Sequence, residues 1–115
     1  MILPTKAAIG LVSFFIATVS FAQEGVASVY NQGPRVATGA RFNPNVMAAA
    51  SKTLPLGSYA RVTNLKTGQS ATVVINDRGP FIRGRIIDLT PASARALGIH
   101  GLGRVRVTLA FHANK

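Results

Sequence analysis

The sequence holds only three acidic residues, and two of them fall within one short segment. Asp77 belongs to the run Asn-Asp-Arg-Gly-Pro-Phe at 76–81, and Asp88 belongs to the run Arg-Ile-Ile-Asp-Leu-Thr at 85–90. Glu24 stands apart from both. Carboxyl groups placed beside a Gly-Pro turn and an apolar strand are suited to donate and accept protons. If this chain does acid–base chemistry, Asp77 and Asp88 are therefore its candidate catalytic residues.

The remaining composition excludes several other kinds of site. The chain has 115 residues, which is enough for one small domain. It has no cysteine, so a disulfide framework and a thiolate metal site are impossible. Its two histidines, His100 and His112, are too few for a zinc cluster and are interpreted as surface residues. We therefore expect neither a metal nor another cofactor.

Residues 1–22 have the pattern of a secretory signal peptide. Lys6 is their only charge, an apolar run covers 7–21, and Ser20-Phe21-Ala22 supplies a small-x-small cleavage motif. A membrane anchor is the alternative, but the run is shorter than the ~20 residues that a spanning helix needs. No cysteine follows the run, so a lipid anchor is not expected. The sequence predicts cleavage after Ala22, export to the periplasm or beyond, and a monomeric mature domain at 23–115.

The formal net charge is +10, which will concentrate the protein near polyanions. An exported protein rarely meets nucleic acid, so anionic polymers of the cell envelope are the expected partners. The basic residues are scattered along the chain, and solubility alone is the alternative explanation of the charge.

The mature part reads as short strands separated by turns. Residues 59–64 alternate between polar and apolar side chains and, with 70–75, predict a β-hairpin. Further strands are predicted at 26–30, 85–89 and 105–111, and a helical turn at 47–50. Thr90 as N-cap, Pro91 at the first helical position and Gly98 after the last predict a short helix. About six strands in so short a chain predict a mainly β fold closed into a small barrel with one or two short helices.

Several ordered motifs resemble those of the rare lipoprotein A (RlpA) family of bacterial envelope proteins. The motifs cover most of the mature chain and stand at 25–30 (Gly-Val-Ala-Ser-Val-Tyr), 37–39 (Ala-Thr-Gly), 48–57 (Ala-Ala-Ala-Ser-Lys-Thr-Leu-Pro-Leu-Gly), 62–65, 76–81 and 84–90. The resemblance implies a double-psi β-barrel like that of expansins. It also implies an endolytic peptidoglycan transglycosylase that acts on glycan strands poor in stem peptides. Because export is predicted, we expect no nucleic acid as a partner.

Two positions depart from the family pattern. Where active members typically carry Glu after Thr-Gly, this chain has Ala40, and where they carry His before Lys-Thr-Leu-Pro, it has Ser51. The family Asp of the Asn-Asp-Arg-Gly-Pro-Phe run is present as Asp77. The lipobox cysteine that members usually carry is absent. One of the two family carboxylates associated with activity is therefore missing.

The resemblance assigns Asp77 as general acid and base, with Asp88 as a second carboxylate that partly replaces the missing Glu. The alternative for Asp77 is that it accepts hydrogen bonds within a turn or forms a salt bridge. The alternative for Asp88 is stabilisation by the unpaired N–H groups at the start of the predicted helix. A second carboxylate near Asp77 would help to raise the pKa of Asp77.

Three further residues are assigned to substrate binding. Tyr30 could stack on a sugar ring or pack against the barrel, and Arg78 could bind the sugar or pair with Asp88. Ser51 occupies the position of the family His and has no His–Asp pair to make it a nucleophile. Gly79 and Pro80 are expected to shape the turn that exposes Asp77.

Three hypotheses follow. The first is a transglycosylase with Asp77 as acid and base. The second is a non-catalytic, expansin-like glycan-binding barrel that lost activity with the Glu at position 40. The third is a small basic effector or inhibitor secreted beyond the envelope, which would predict decay of the motifs.

Overall fold

A computed structural model of the protein describes residues 22–30 and 36–112, except the side chains of Phe111 and His112. The signal peptide predicted at 1–22 lies outside these residues apart from Ala22, so its cleavage stays a prediction. In the part of the chain that is described, no helix is long and apolar enough to cross a membrane.

The described residues form a closed six-stranded β-barrel with one short helix. The strands are β1 (Ala22–Val29), β2 (Ala48–Ala50), β3 (Ser58–Asn64), β4 (Ser70–Asp77), β5 (Arg85–Leu89) and β6 (Gly103–His112), and the helix is α1 (Pro91–Leu97). Around the barrel the order is β1-β5-β2-β4-β3-β6. The β1–β5 and β2–β4 pairs are parallel and the other four pairs are antiparallel. The prediction of a small, mainly β barrel is confirmed.

The predicted hairpin is present as β3 and β4, which pair from Tyr59–Val74 to Thr63–Ser70. Its inward face is the one that the alternation indicated, because Ala60 and Val62 are fully buried while Arg61 is exposed. The larger core side chains come from β3, β4, β5 and β6 and from the segment around α1. They are Val62, Val73, Ile75, Ile87, Leu89, Leu97, Ile99, Val105 and Val107.

The helix begins and ends where the sequence indicated. The Thr90 hydroxyl oxygen accepts a hydrogen bond from the Ser93 N–H at 3.2 Å, and Pro91 occupies the first turn. Gly98 ends the helix with φ +68°, a left-handed conformation that glycine adopts without steric cost.

The helical turn predicted at 47–50 is wrong. Ala48–Ala50 form strand β2, and all three residues are buried. Alanine favours helix in isolation, but this segment lies between β4 and β5 and hydrogen-bonds to both. The pairing with two distant strands outweighs the local preference, and β2 separates the two strands that carry the candidate carboxylates.

Candidate active site

Asp77 and Asp88 lie on either side of β2, at the same level of the sheet. Ala50 is opposite Asp77 of β4 on one side and opposite Asp88 of β5 on the other. The sequence predicted both residues but not their juxtaposition across a third strand.

A register shift turns Asp77 towards this site. Ala49 is opposite Ile75, yet Ala50 is opposite Asp77, so β4 contains one extra residue at Asn76. Successive side chains of a strand alternate between faces, and one extra residue reverses that alternation. Ile75 is fully buried in the core, whereas Asp77 reaches the outer face beside Asp88.

The Asp77 carboxyl is held by three donors. Its Oδ1 accepts from the backbone N–H of Ala37 at 2.8 Å and from that of Arg78 at 2.9 Å. Its Oδ2 accepts from the Tyr30 hydroxyl at 3.4 Å. The turn hydrogen bonds offered as an alternative are therefore present, and they fix the carboxyl while Oδ2 faces the tyrosine.

The Asp88 carboxyl is half-buried and has a different partner. Its Oδ1 accepts from the Ser28 hydroxyl of β1 at 2.9 Å. Burial raises the pKa of Asp88 above its usual range, and the negative charge of Asp77 adds to this, while the Ser28 hydrogen bond and Arg85 oppose it. Thr90 is the N-cap of α1 and Asp88 lies two residues before it, so stabilisation of Asp88 by the helix start stays an alternative.

Tyr30 donates a hydrogen bond to Asp77 and lies within range of the charge of Asp88. Burial is the main cause that raises the pKa of its phenol far above the usual value, followed by the charge of Asp77, its hydrogen bond, and the charge of Asp88. Tyr30 is therefore a neutral hydrogen-bond donor at any physiological pH. Its ring packs against Phe42, with centroids 5.2 Å apart and planes tilted by 50°.

Phe42 was missed by the sequence reasoning. It is the single aromatic residue of the polar segment at 38–45. An aromatic side chain isolated in a polar segment was the signal that could have identified it as a site residue.

Arg78 and Ser51 contact backbone groups rather than the open site. Arg78 Nη1 donates to the carbonyl oxygens of Ser51, at 2.9 Å, and of Leu54. The Ser51 hydroxyl oxygen accepts from the N–H groups of Thr53 and Leu54, and only 2% of the residue is exposed. No ion pair joins Arg78 to Asp88 among the described residues. Contact of these two side chains with substrate stays a prediction.

Two loops border the carboxyl pair. The loop at 36–40 carries Ala40, which is exposed, and Thr38 N–H donates to the Asn76 carbonyl at 3.3 Å. In the other loop, the turn at Gly79 is built on a φ of +126°, which favours glycine. Phe81 follows that turn and is 78% exposed. Ala40, at the position of the family Glu, therefore lies on a loop that is hydrogen-bonded to the end of β4, where Asp77 also lies.

The chain is similar to one family of known proteins over most of its length. Residues 22–109 match the family described as lytic transglycolase. The probable endolytic peptidoglycan transglycosylase RlpA of Synechocystis is 51% identical over 96 residues, which are 81% of this chain and 30% of that protein. The endolytic peptidoglycan transglycosylase RlpA of Pasteurella multocida is 50% identical over 94 residues, 77% of this chain and 32% of that protein. The chain spans about a third of the length of these curated relatives.

A solved structure shares the fold. The Streptomyces papain inhibitor superposes with a TM-score of 0.60 at 18% identity, covering 76% of this chain and 93% of the inhibitor. At that identity the likeness concerns the barrel alone.

Proposed function

This chain belongs to the lytic transglycolase family of double-psi β-barrels that includes RlpA, and from that membership we propose that it is an endolytic peptidoglycan transglycosylase. The proposed substrate is a glycan strand poor in stem peptides. The proposed place of action is the cell wall, reached by export through the predicted signal peptide. The full-length relatives are about three times as long, so the proposal concerns what this barrel does by itself.

The observation that carries the proposal is the convergence of Asp77, Asp88 and Tyr30. Asp77 and Asp88 flank Ala50, and the phenol of Tyr30 is influenced by both carboxyls. The two residues lie one on each side of β2, so each carboxyl has its own hydrogen-bond partners and the charge of one acts on the other through space. Asp77, the carboxylate that the family resemblance assigns, is the proposed group that supplies a proton and then takes one back.

The reaction needs no water as nucleophile. Asp77, as general acid, donates a proton to the glycosidic oxygen as the bond from that oxygen to C1 of the muramic residue breaks. The C6 hydroxyl of the same residue attacks C1 and forms the 1,6-anhydro ring, and its proton passes to Asp77, which now acts as general base. Asp77 thus ends in its starting protonation state, and Asp88 serves as the second carboxylate of the site. Tyr30, as a neutral donor to Asp77 Oδ2, keeps that carboxyl oriented through both steps.

Mass spectrometry of peptide-free peptidoglycan strands incubated with residues 23–115 tests this proposal. We expect products that end in 1,6-anhydromuramic acid, with a rate at least ~10²-fold lower in Asp77→Asn, a loss typical of a removed general acid or base. Glu24→Gln is the matched control, because Glu24 is the remaining acidic residue and its carboxylate is exposed and bonded to Arg106. If no product forms while the protein is retained on the same glycan, the barrel is a non-catalytic binding module.

A further inference from the structure

A cavity lies at the other end of the barrel from Asp77 and Asp88. Its volume is about 300 Å³, and its lining comes from the β3–β4 turn, the segment after α1 and the start of β6: Asn64, Lys66, Gly98, Ile99, His100, Leu102, Gly103 and Arg104. Asp77 is at the carboxyl end of β4, whereas the turn precedes its amino end at Ser70. A strand rises ~3.3 Å per residue, so roughly 20 Å separates the two sites. The proposed transglycosylase mechanism uses none of these residues.

The cavity is strongly basic and has no acidic side chain to balance it. Lys66 and Arg104 bring two permanent positive charges, and His100 adds an imidazole N–H donor. All three acidic side chains of the protein are elsewhere, since Glu24 binds Arg106 and the other two form the carboxyl pair. Like charges around a common cavity repel one another, so an anion placed there would be favoured.

The backbone that presents these charges is held firmly. Leu65 N–H donates to the Arg104 carbonyl at 3.0 Å, which joins the β3–β4 turn to β6. The buried Asn64 side chain donates to the Leu97 carbonyl at 2.8 Å and accepts from Lys66 N–H at 2.9 Å. Lys66 and Arg104 therefore stand on segments that are hydrogen-bonded to each other, and both residues line the same cavity.

The remaining lining suits a sugar ring rather than a bare ion. Ile99 is buried at 4% exposure, while Leu102 is 56% exposed at the edge of the cavity. A volume near 300 Å³ is at the lower end of small-molecule sites and exceeds what a phosphate or carboxylate group fills alone. Apolar side chains beside cations match the C–H face and the charged substituent of an anionic sugar.

We propose that this cavity is a second binding site, independent of the carboxyl pair, for a sugar unit that carries a phosphate or carboxylate group. Lys66 and Arg104 bind the charged group, and Leu102 covers the ring. The site gives the basic surface a specific anchoring point for an anionic polymer.

Titration of the ¹⁵N-labelled protein with monomeric ligands tests the proposal, because monomers avoid the general attraction of a basic protein for polyanions. The probes are glucose 6-phosphate, glucuronic acid and, as the neutral reference, glucose, all at constant ionic strength. We expect saturable shifts of the amide signals at 98–104 with one or both anionic sugars and none with glucose. Comparison of glucose 6-phosphate with glucuronic acid shows whether the site prefers a phosphate or a carboxylate group.

Charge-removing variants separate a built site from diffuse attraction. Lys66→Ala and Arg104→Gln should each weaken binding about tenfold or more, as expected for a lost hydrogen bond to a charged group. Arg95→Gln is the matched control, since it removes an exposed cation of α1 that does not line the cavity. The kcat for glycan cleavage should stay unchanged in all three variants, because none of these residues belongs to the site of Asp77 and Asp88. Absence of saturable shifts, equal shifts with glucose, or equal weakening in Arg95→Gln would overturn the proposal.

Discussion

Asp88 illustrates how a site residue can lower the stability of the fold that contains it. Burial favours its protonated form. Below the ordinary pKa of 3.8, Asp88 is protonated in both the folded and the unfolded chain, so its ionisation does not reduce the stability of the fold. As the pH rises through that value, the unfolded chain ionises first, so stability is lost until the folded carboxyl ionises too.

Replacing Asp88 with Asn should therefore raise the melting temperature at pH 7, since the amide cannot ionise and its oxygen still accepts from Ser28. Thermal unfolding followed by circular dichroism at several pH values measures this. The gain should shrink as the pH falls towards 4. Glu24→Gln, which neutralises an exposed carboxylate, should show no such gain. A variant less stable than wild type at pH 7 would show that Asp88 is a stabilising residue instead.

Tyr30 is assigned to orientation of Asp77 rather than to stacking on a sugar. Tyr30→Phe removes the hydroxyl that bonds Asp77 and keeps the ring that packs on Phe42. We expect about a tenfold lower cleavage rate, as for loss of one hydrogen bond to a charged group, and little change in melting temperature. Tyr59→Phe changes the other tyrosine as a control.

The stacking hypothesis makes the opposite prediction. If the ring alone matters, Tyr30→Phe retains full activity while Tyr30→Ala loses it. That result would contradict the assignment of the hydroxyl.

Among the elements, the loop at 36–40 carries Ala40, the position at which the family Glu is missing. Ala37 N–H holds Asp77, and Ala40 stands on the same loop, whose Val36 N–H donates to the Ala40 carbonyl. A carboxylate restored at position 40 would stand on the loop that already contacts Asp77. We expect Ala40→Glu to raise the cleavage rate at least ~10-fold, within the range of general acid–base catalysis.

Ala40→Gln is the matched control for that experiment, because the glutamine side chain has nearly the size of glutamate but no charge. If Gln raises the rate as much as Glu, the gain reflects loop packing. If neither changes the rate, the lost family Glu has no bearing on catalysis in this chain.

The elements differ in how well the sequence predicted them, according to where their stabilising contacts come from. The β3–β4 hairpin and α1 are specified by neighbours in the chain, through alternation, Gly68, the Thr90 cap and Gly98. Strand β2 depends on β4 and β5, which follow much later, so three alanines gave no local signal of a strand. The candidate site has the same limit. Asp77 and Asp88 were predicted individually, but no local pattern indicated that β2 would lie between them.

At the scale of the whole molecule, closure of the barrel assembles the site from distant parts of the chain. Ser28 comes from the end of β1 and Tyr30 from the residue after that strand. Ala37 comes from a later loop, and Asp77 and Asp88 come from β4 and β5. The pair depends on β2 lying between those strands and on the register shift beside Ala50. A barrel with the same strands but another register would turn Asp77 inwards.

Asp77 and Asp88 are proposed to act together in one catalytic site, and a double-mutant cycle on the cleavage rate tests this. The rates of Asp77→Asn, Asp88→Asn and the double variant are measured on the same peptide-free glycan, with product ends identified by mass spectrometry. Residues that act as one unit in the same step are strongly non-additive. We predict that the double variant is about as slow as the slower single variant. If the two losses multiply, Asp77 and Asp88 act independently and do not form one catalytic site.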